Sequence, residues 1–148
     1  MKRKALFPGT FDPYTIAHDA IVQRALSFTD EIIIGIGVNS EKKTLFPLDI
    51  RIDFIEQLYF REKRISVASY DTLTIDFAIK ARVSFILRGV RNYNDFEYEK
   101  SIADFNRRTS DIETVILISE PEFSHITSSL VRDLITHKQY YEYFIPLL

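Results

Sequence analysis

The chain has 148 residues and a hydrophobic content of 46%, which suits one globular domain with a sizeable core and argues against disorder. Its 19 basic and 21 acidic residues give a net charge of −2, so no overall electrostatic attraction to nucleic acid or to an anionic membrane is expected. The absence of cysteine excludes disulfides, thiolate nucleophiles and thiolate metal sites and is compatible with a reducing cytoplasm.

The first elements alternate between short apolar strands and amphipathic helices. Ala5-Leu6-Phe7 predicts a strand that breaks at Pro8-Gly9. Apolar residues at helical spacing predict a helix over about 15–28, and the β-branched run 31–38 is typical of a strand that is covered on both faces. The next helix is predicted to start near Pro47. Its predicted buried face consists of Leu48, Ile52, Ile55 and Tyr59.

The same alternation continues along the second half of the chain. Strands are predicted over 64–70, 83–87 and 113–118, and Thr74 is predicted to cap a short helix between the first two. A hydroxyl-rich run at 127–129 is predicted to open another helix. The aromatic tail from Tyr140 to Leu148 predicts one last short helix.

A longer helix is predicted between the fourth and fifth strands. Asn94 and Glu97 have the spacing of a capping box, and the helix is predicted to run to about Arg108. Its predicted inward stripe consists of Tyr98, Ile102 and Phe105. No stretch approaches the roughly 18 apolar residues of a membrane span.

Five strands that alternate with helices predict an α/β domain with a parallel sheet and right-handed crossovers, formed by residues 1–148 as a single domain. Ligands of such sheets bind outside the carboxyl ends of the strands, where the strand order reverses. A functional site should therefore place chemically active residues on several of the loops that follow strands.

The stretch from Phe7 to His18 is the first candidate for such a site. It predicts a strand-loop-helix hinge, in which Gly9 lets a phosphate approach the main chain and the helix start offers unpaired N–H groups. Read alone, the stretch is better explained by a turn, a helix cap at Thr15 and a surface histidine. Cationic or hydroxyl side chains after other strands favour the functional interpretation. These are Lys42, Lys43, Arg88, Arg91, Ser124, Thr127, Ser128 and Ser129.

Arg88 directly follows an apolar strand and precedes a glycine, so its side chain is expected at the edge of the sheet. A guanidinium withdrawn from water needs a carboxylate or a phosphate as its partner. Two interpretations follow: Arg88 binds an anionic ligand, or it forms an ion pair with Glu97 or Glu99.

The order and spacing of these motifs closely resemble the bacterial phosphopantetheine adenylyltransferase family, which is part of the nucleotidyltransferase superfamily. The motifs are Pro8-Gly9-Thr10-Phe11-Asp12-Pro13 with His18, Lys42-Lys43, Arg88-Gly89-Val90-Arg91 with Asp95-Phe96-Glu97-Tyr98-Glu99, and Ile126-Thr127-Ser128-Ser129. The resemblance covers nearly the whole chain.

The resemblance implies a Rossmann-like three-layer enzyme of coenzyme A biosynthesis. It implies transfer of AMP from ATP to 4′-phosphopantetheine, with dephospho-coenzyme A and pyrophosphate as products. It also implies Mg2+ that is bound mainly through the ATP phosphates, and a homohexamer. The composition and the lack of a long apolar stretch predict a soluble, cytoplasmic protein with neither nucleic acid nor membrane as a partner.

The resemblance also implies roles for individual residues. Catalysis is expected from Thr10, His18, Lys42 and Arg91. Phosphopantetheine is expected to bind to Thr10, Lys42, Thr74 and Arg88. ATP is expected to bind to Thr10, Phe11, His18, Gly89, Val90, Arg91, Glu99, Phe123, Ser124, His125, Ile126, Thr127, Ser128 and Ser129.

The chemistry that this reaction needs agrees with the residues present. The nucleophile is an ionised phosphate, so catalysis can depend on positioning and charge neutralisation, with no general base. Ala17 stands where the family usually has glycine, Thr127 stands where serine is common, and the segment before it is one residue shorter than usual. Two alternatives stay open: another adenylyl- or cytidylyltransferase, and a non-catalytic nucleotide- or coenzyme A-binding module.

Overall fold

The computed structural model describes the whole chain, Met1–Leu148, and contains one sheet of five parallel strands. The strands are β1 (Lys4–Gly9), β2 (Glu31–Gly37), β3 (Ile65–Tyr70), β4 (Phe85–Val90) and β5 (Glu113–Ile118). Their spatial order is β3-β2-β1-β4-β5. The chain therefore reverses its direction across the sheet between β1 and β4, and the carboxyl ends of these two strands flank the switch point.

Five α-helices connect or follow the strands, so the predicted Rossmann-like α/β architecture is confirmed. They are α1 (Ile16–Ala25), α2 (Leu48–Leu58), α3 (Thr74–Lys80), α4 (Tyr93–Ser110) and α5 (Ser128–Thr136). Short 3₁₀ turns occupy Pro121–Phe123 and Tyr141–Phe144, the second of which replaces the helix predicted for the tail. None of the helices combines the length and the apolar character that crossing a membrane requires.

Strand alternation divides the core into two layers around the sheet. Ala5 and Phe7 of β1 belong to a cluster with Val22 of α1 and Ile55 of α2, while Leu6 packs on the opposite face with residues of α3. Successive side chains of a strand point to opposite faces, so one short strand supplies both clusters. The sheet and the helices on its two faces thus form a three-layer sandwich.

Strand β4 lies further along the chain than predicted: it was predicted over 83–87, and it begins at Phe85 and ends at Val90. It was predicted to end at Leu87, but the ladder with β5 continues through Arg88 and Gly89 to Val90. The polar Arg88 and the glycine after it interrupt the apolar pattern by which a covered strand is recognised, although Val90 beyond them is again buried. Arg88 therefore projects from a strand, which holds its backbone more firmly than a loop does.

The start of α3 also differs from the sequence-based prediction. Thr74 is the first helical residue and not its cap, because Leu73 occupies the cap position without a side-chain hydrogen bond. The Thr74 hydroxyl is instead 2.9 Å from the hydroxyl of Tyr70. A side-chain contact with the last residue of β3 thus takes the place of the predicted capping contact.

Helix α4 corrects two predictions. Its cap is Asn92, whose Oδ1 accepts from the Asp95 N–H at 2.9 Å, so the predicted capping box of Asn94 and Glu97 does not form. The predicted inward stripe is not buried: Tyr98, Ile102 and Phe105 are exposed by 65%, 37% and 52%, and the first two line a cavity. The buried residues are Glu99 and Asn106, which have the same helical spacing. The inner face of α4 is polar because it borders a cavity.

Candidate active site

Two cavities meet at the carboxyl ends of β1 and β4. The larger has a volume of about 520 Å³ and the smaller one of about 250 Å³. Both are lined by Pro8, Gly9, Thr10 and Arg88. Two ligands that occupied the two cavities would therefore have their nearest ends at Thr10 and Arg88.

The larger cavity is bordered by the hinge after β1, the end of β4 and the first turn of α5. Its lining brings together most of the residues predicted for catalysis and nucleotide binding. These are Thr10, Phe11, His18, Lys42, Arg88, Gly89, Arg91, Ile126, Thr127, Ser128 and Ser129. Residues separated by as many as 119 positions of sequence thus share one crevice because parallel strands end at the same edge.

His18 is held by the cap of α1. The Thr15 N–H donates to His18 Nδ1 at 2.9 Å, and the Thr15 hydroxyl accepts from the His18 N–H at 3.4 Å. Since Nδ1 is an acceptor, the proton of the neutral ring is on Nε2. Burial, and secondarily the positive charge of Arg88, lower the pKa of His18 from 6.5 to about 3. At neutral pH the ring is therefore an uncharged N–H donor beside the larger cavity.

Thr10 connects the hinge to a lysine and to helix α2. Lys42 Nζ donates to the Thr10 hydroxyl at 3.1 Å. The Thr10 carbonyl accepts from Arg51 Nη1 at 2.7 Å, and Arg51 is only 6% exposed. Sequence reasoning missed Arg51, since an arginine inside an amphipathic helix reads as a surface residue. Its contact with the main chain of Thr10 fixes the turn that carries the hydroxyl.

Asp12 is a buried carboxylate whose oxygens accept hydrogen bonds from main-chain N–H groups. Its two oxygens accept from the Leu45 N–H at 2.8 Å and the Phe46 N–H at 2.9 Å. These bonds join the hinge to the segment that follows Lys42. The carboxylate is thus occupied by main-chain donors, and it brings the lysine to Thr10.

Arg88 forms the ion pair that one of the two sequence interpretations predicted, and its partner is Glu99. Nε and Nη2 donate to the two Glu99 oxygens at 2.9 and 2.8 Å, and Nη1 donates to the Pro8 carbonyl. The Glu99 side chain is 8% exposed, whereas that of Arg88 is 30% exposed. Because Arg88 still lines both cavities, the ion pair orients the guanidinium without removing it from the site.

Gly89 and Arg91 complete the end of β4. A Cβ at Gly89 would lie 3.1 Å from Ile21 Cγ1, so glycine permits the close approach of β4 and α1. Arg91 Nε donates to Asp95 Oδ2 at 3.0 Å, and the Arg91 N–H donates to the same oxygen at 3.1 Å. The first turn of α4 thus positions this cation at the rim of the larger cavity.

The start of α5 contributes hydroxyls and a further cation. Thr127 caps the helix through its hydroxyl, which accepts from the Leu130 N–H at 2.9 Å, and the Ser128 hydroxyl donates to the Pro13 carbonyl at 2.9 Å. Arg132 lines the larger cavity and donates from Nη1 to the Asp12 carbonyl at 3.0 Å. Sequence reasoning missed Arg132. Its position four residues after Ser128 could have indicated that it faces the same site, because residues i and i+4 share a helix face.

Several predicted ATP-binding residues lie outside the lining of the larger cavity. Val90 is 3% exposed at the end of β4, and Glu99 lines the smaller cavity. The other three belong to the segment before α5 and are Phe123, Ser124 and His125. That segment folds on itself, since the Ser124 hydroxyl donates to the Pro121 carbonyl and the ring of His125 lies 6.1 Å from that of Phe144.

The smaller cavity lies between the sheet and α4 and has a mixed lining. Its lining includes Thr74, one of the residues predicted to bind substrate, together with Tyr70, Tyr98, Glu99, Ile102, Asn106 and Thr114. The Thr114 hydroxyl is buried without a hydrogen-bond partner, and Asn106 is 5% exposed. Apolar side chains, the buried Asn106 and one unpaired hydroxyl suit an extended ligand that carries polar groups.

The two cavities differ in charge. The larger one is lined by four cationic side chains, Lys42, Arg88, Arg91 and Arg132, and by the neutral donor His18. Arginine and lysine donors around a crevice at helix starts are suited to phosphate groups. The doubly wound fold and this two-part, phosphate-suited site are those of a nucleotidyltransferase.

Known proteins support this class and narrow it. Residues 6–134 match the model of the cytidylyltransferase-like family. A protein named phosphopantetheine adenylyltransferase from Bacteroides thetaiotaomicron is 54% identical over 144 residues, which are 97% of this chain and 95% of the relative. One of the same name from Flavobacterium johnsoniae is 51% identical with the same coverage. The chain belongs to the phosphopantetheine adenylyltransferase family of cytidylyltransferase-like proteins.

Solved structures of lower identity share the fold. A bifunctional NMN adenylyltransferase/ADP ribose pyrophosphatase from Francisella tularensis has a TM-score of 0.75 at 13% identity; the match covers 98% of this chain and 45% of that one. A lipopolysaccharide core biosynthesis protein from Thermoplasma volcanium has a TM-score of 0.60 at 16% identity, with coverages of 81% and 98%. The Rossmann-like architecture is therefore common to proteins with different names.

Proposed function

We propose that this protein transfers the adenylyl group of ATP to the phosphate of 4′-phosphopantetheine, which gives dephospho-coenzyme A and pyrophosphate. The observation that carries the proposal is the meeting of a cationic and a mixed cavity at Thr10 and Arg88. A group transfer between two substrates needs such a junction. The names of relatives that are 41–54% identical support the same reaction.

ATP would occupy the larger cavity. Its phosphates would face Lys42, Arg91 and Arg132, which together with the first turn of α5 supply charged and main-chain donors. Ser128 is well placed to line the nucleotide because its hydroxyl is fixed on the Pro13 carbonyl. A nucleotide in this cavity would present its α-phosphate toward Thr10 and His18.

Phosphopantetheine would occupy the smaller cavity. Its phosphate would lie at Arg88 and Thr10, and its pantetheine arm would extend along Tyr98, Ile102 and Asn106. The arm carries methyl groups and two amides, which match the mixed lining. Coenzyme A and dephospho-coenzyme A would occupy the same two cavities, since each contains an adenine nucleotide joined to a phosphopantetheine arm.

The chemical step follows from these positions. A phosphate oxygen of phosphopantetheine attacks the α-phosphorus of ATP in line with the leaving pyrophosphate; one P–O bond forms and the bond to the bridging oxygen breaks. The attacking oxygen is already ionised, so no proton has to be removed. Lys42 and Arg91 neutralise negative charge, and the neutral His18 donates from Nε2–H to the α-phosphate oxygen.

We further propose that Mg2+ accompanies ATP. The structure holds no group of three or more His, Cys, Asp or Glu side chains that could bind a metal ion, so the ion would be held mainly by the phosphates. When bound, Mg2+ supplies additional neutralisation of phosphate charge. The protein itself would then contribute only the cationic side chains described above to the neutralisation of phosphate charge.

The assembly is proposed to be a homohexamer in the cytoplasm. Phe96 and Phe105 of α4 present exposed apolar surface outside both cavities, which supports contact with further copies of the chain. Light scattering coupled to size-exclusion chromatography would measure the mass of the assembly. A monomer at micromolar concentration would contradict the proposal.

The reaction is tested by pyrophosphate release from purified protein with ATP, Mg2+ and phosphopantetheine. We expect turnover that requires all three components. Nicotinate mononucleotide, nicotinamide mononucleotide and small phosphorylated alcohols serve as competing acceptors, and preference for any of them would identify a different nucleotidyltransferase. Tight binding of coenzyme A or ATP by folded protein without turnover would indicate a ligand-binding module instead.

A further inference from the structure

Two buried tyrosines connect α1 and α2 next to the candidate active site. The Tyr59 hydroxyl donates to Asp19 Oδ1 at 2.5 Å, and the Tyr14 and Tyr59 hydroxyl oxygens are 2.7 Å apart. A phenol has one proton and an ionised carboxylate can only accept, so Tyr14 donates to Tyr59 and Tyr59 donates to Asp19. Tyr14 is 1% exposed and Tyr59 is 7% exposed. We call this arrangement the Tyr14–Tyr59–Asp19 chain.

The direction of the Tyr14–Tyr59–Asp19 chain is maintained around neutral pH. Burial raises the pKa of Tyr14, and burial together with the neighbouring Tyr14 and Asp19 raises the pKa of Tyr59. Both phenols therefore keep their protons. The acceptor at the end of the chain, Asp19, lies in the first turn of α1.

The Tyr14–Tyr59–Asp19 chain contacts His18 directly. The ring of Tyr14 packs against the imidazole with 5.1 Å between centroids and 30° between planes. Phe11 closes another side, with its ring 5.0 Å from the imidazole at 84°. Tyr14 also immediately precedes Thr15, whose N–H donates to His18 Nδ1. Movement of Tyr14 would disturb the packing around the imidazole of His18 and the hydrogen bond that selects its tautomer.

Helix α2 supports the hinge at both of its ends. Tyr59, at the C-terminal end of α2, holds Tyr14 and α1, while Arg51 in its first turns holds the Thr10 carbonyl. The hinge is thereby attached to one rigid element through two buried polar contacts. Buried hydrogen bonds of this kind restrict orientation, since an unpaired group in the same place would be costly.

We propose that the Tyr14–Tyr59–Asp19 chain positions His18 for adenylyl transfer by keeping Nε2–H available to the larger cavity. The inference rests on the proposed function, in which His18 stabilises charge on the α-phosphate. Tyr14, Tyr59 and Asp19 act through His18 and are positioning residues, because none of the three lines either cavity.

The main experiment is Tyr59→Phe, which removes the central hydroxyl and keeps the ring. We expect kcat to fall about tenfold while the KM for ATP stays within about twofold, because a displaced imidazole affects the transition state more than nucleotide binding. The matched control is Thr29→Val. Thr29 is 4% exposed and donates to the Ala25 carbonyl at 2.8 Å, at the opposite end of α1. This control should lose stability without losing kcat.

A spectroscopic measurement tests the positioning without catalysis. In ¹⁵N NMR spectra of the ligand-free protein, we expect His18 to be almost entirely the Nε2–H tautomer and Tyr59→Phe to give a mixture. If Tyr59→Phe does not fold, Tyr14→Phe removes the same hydrogen bond from its other end and should give the same two changes.

Two results would overturn the inference: an unchanged His18 tautomer in the folded variant, or equal losses of kcat in Tyr59→Phe and Thr29→Val. Failure of the unmodified protein to turn over would reject the proposed reaction. The NMR comparison would still decide whether the Tyr14–Tyr59–Asp19 chain positions His18.

Discussion

The larger cavity is bordered mostly by loop and helix-start residues that are tied to one another, whereas the smaller cavity lies between the sheet and one helix. In the larger cavity, Lys42, Ser128 and Arg132 each donate to an atom of the segment 10–13. In the smaller cavity, the Thr114 hydroxyl has no partner. Preorganised donors favour stabilisation of developing charge, while polar groups without partners favour recognition of a ligand that satisfies them. The two cavities are thus suited to chemistry and to substrate selection, respectively.

The strongest test of this contrast is His18→Ala. We expect kcat to fall by about 10²- to 10³-fold with a small change in the KM for ATP, because the Nε2–H donor acts mainly in the transition state. Steady-state pyrophosphate release would measure both constants. His137→Ala is a matched control, since His137 is exposed and remote from both cavities. Equal losses in kcat and ATP affinity would instead identify ordinary ground-state binding.

Arg88 belongs to both cavities, so its removal should affect both substrates. We expect Arg88→Met to raise both KM values and to lower kcat/KM by about 100-fold. It also leaves Glu99 unpaired, which should lower the free energy of unfolding by about 2 kcal/mol, less than for a fully buried pair because Arg88 is partly exposed.

The double variant Arg88→Met/Glu99→Gln separates the two effects of Arg88. It removes the unpaired charge and should recover much of the lost stability, as measured by urea unfolding. Activity should stay low, because no cation remains at the junction of the cavities. Recovery of activity together with stability would show that Arg88 has only a structural role.

Asn106 offers a smaller change that is confined to one cavity. Replacing Asn106 with leucine should raise the KM for phosphopantetheine by about three- to tenfold, the equivalent of about one hydrogen bond. The KM for ATP and kcat should be nearly unchanged, because Asn106 lines only the smaller cavity. A selective effect on ATP in initial-rate measurements would reverse the assignment of the cavities.

The smallest expected effect concerns pH and the stability of the ligand-free protein. The folded-state pKa of His18 is about 3, below its unfolded value of 6.5, so the unfolded chain binds more protons between these values. Stability that is present above about pH 6.5 is therefore lost as the pH falls toward 3. Because His18 keeps some exposure, we expect a loss of about 1 kcal/mol between pH 7.5 and pH 5.

Urea unfolding at the two pH values would measure this loss. His18→Gln should show a smaller loss of stability over the same range, since it has no imidazole to protonate. An identical pH dependence in both proteins would mean that His18 does not contribute to it.

The sequence by itself determined the order of the elements, the α/β class, and the helix starts near Thr15 and Thr127. These are local properties: hydrophobic periodicity and short-range capping bonds act within a few residues, so they can be read from a single chain. The sequence also indicated that residues after several strands share one site, because the ends of parallel strands share an edge. The cationic crevice around Thr10 and Lys42 follows from that rule.

Only the tertiary structure decided which partners those residues have. Arg88 pairs with Glu99 and not Glu97, Asn92 and not Asn94 caps α4, and Arg132 reaches the hinge across 120 positions of sequence. Helix α4 has an apolar and a polar stripe with the same spacing. The polar stripe, which contains Glu99 and Asn106, is the buried one because it borders the smaller cavity. The Tyr14–Tyr59–Asp19 chain is likewise invisible to local patterns, because its contacts depend on how α1 and α2 pack on the same face of the sheet.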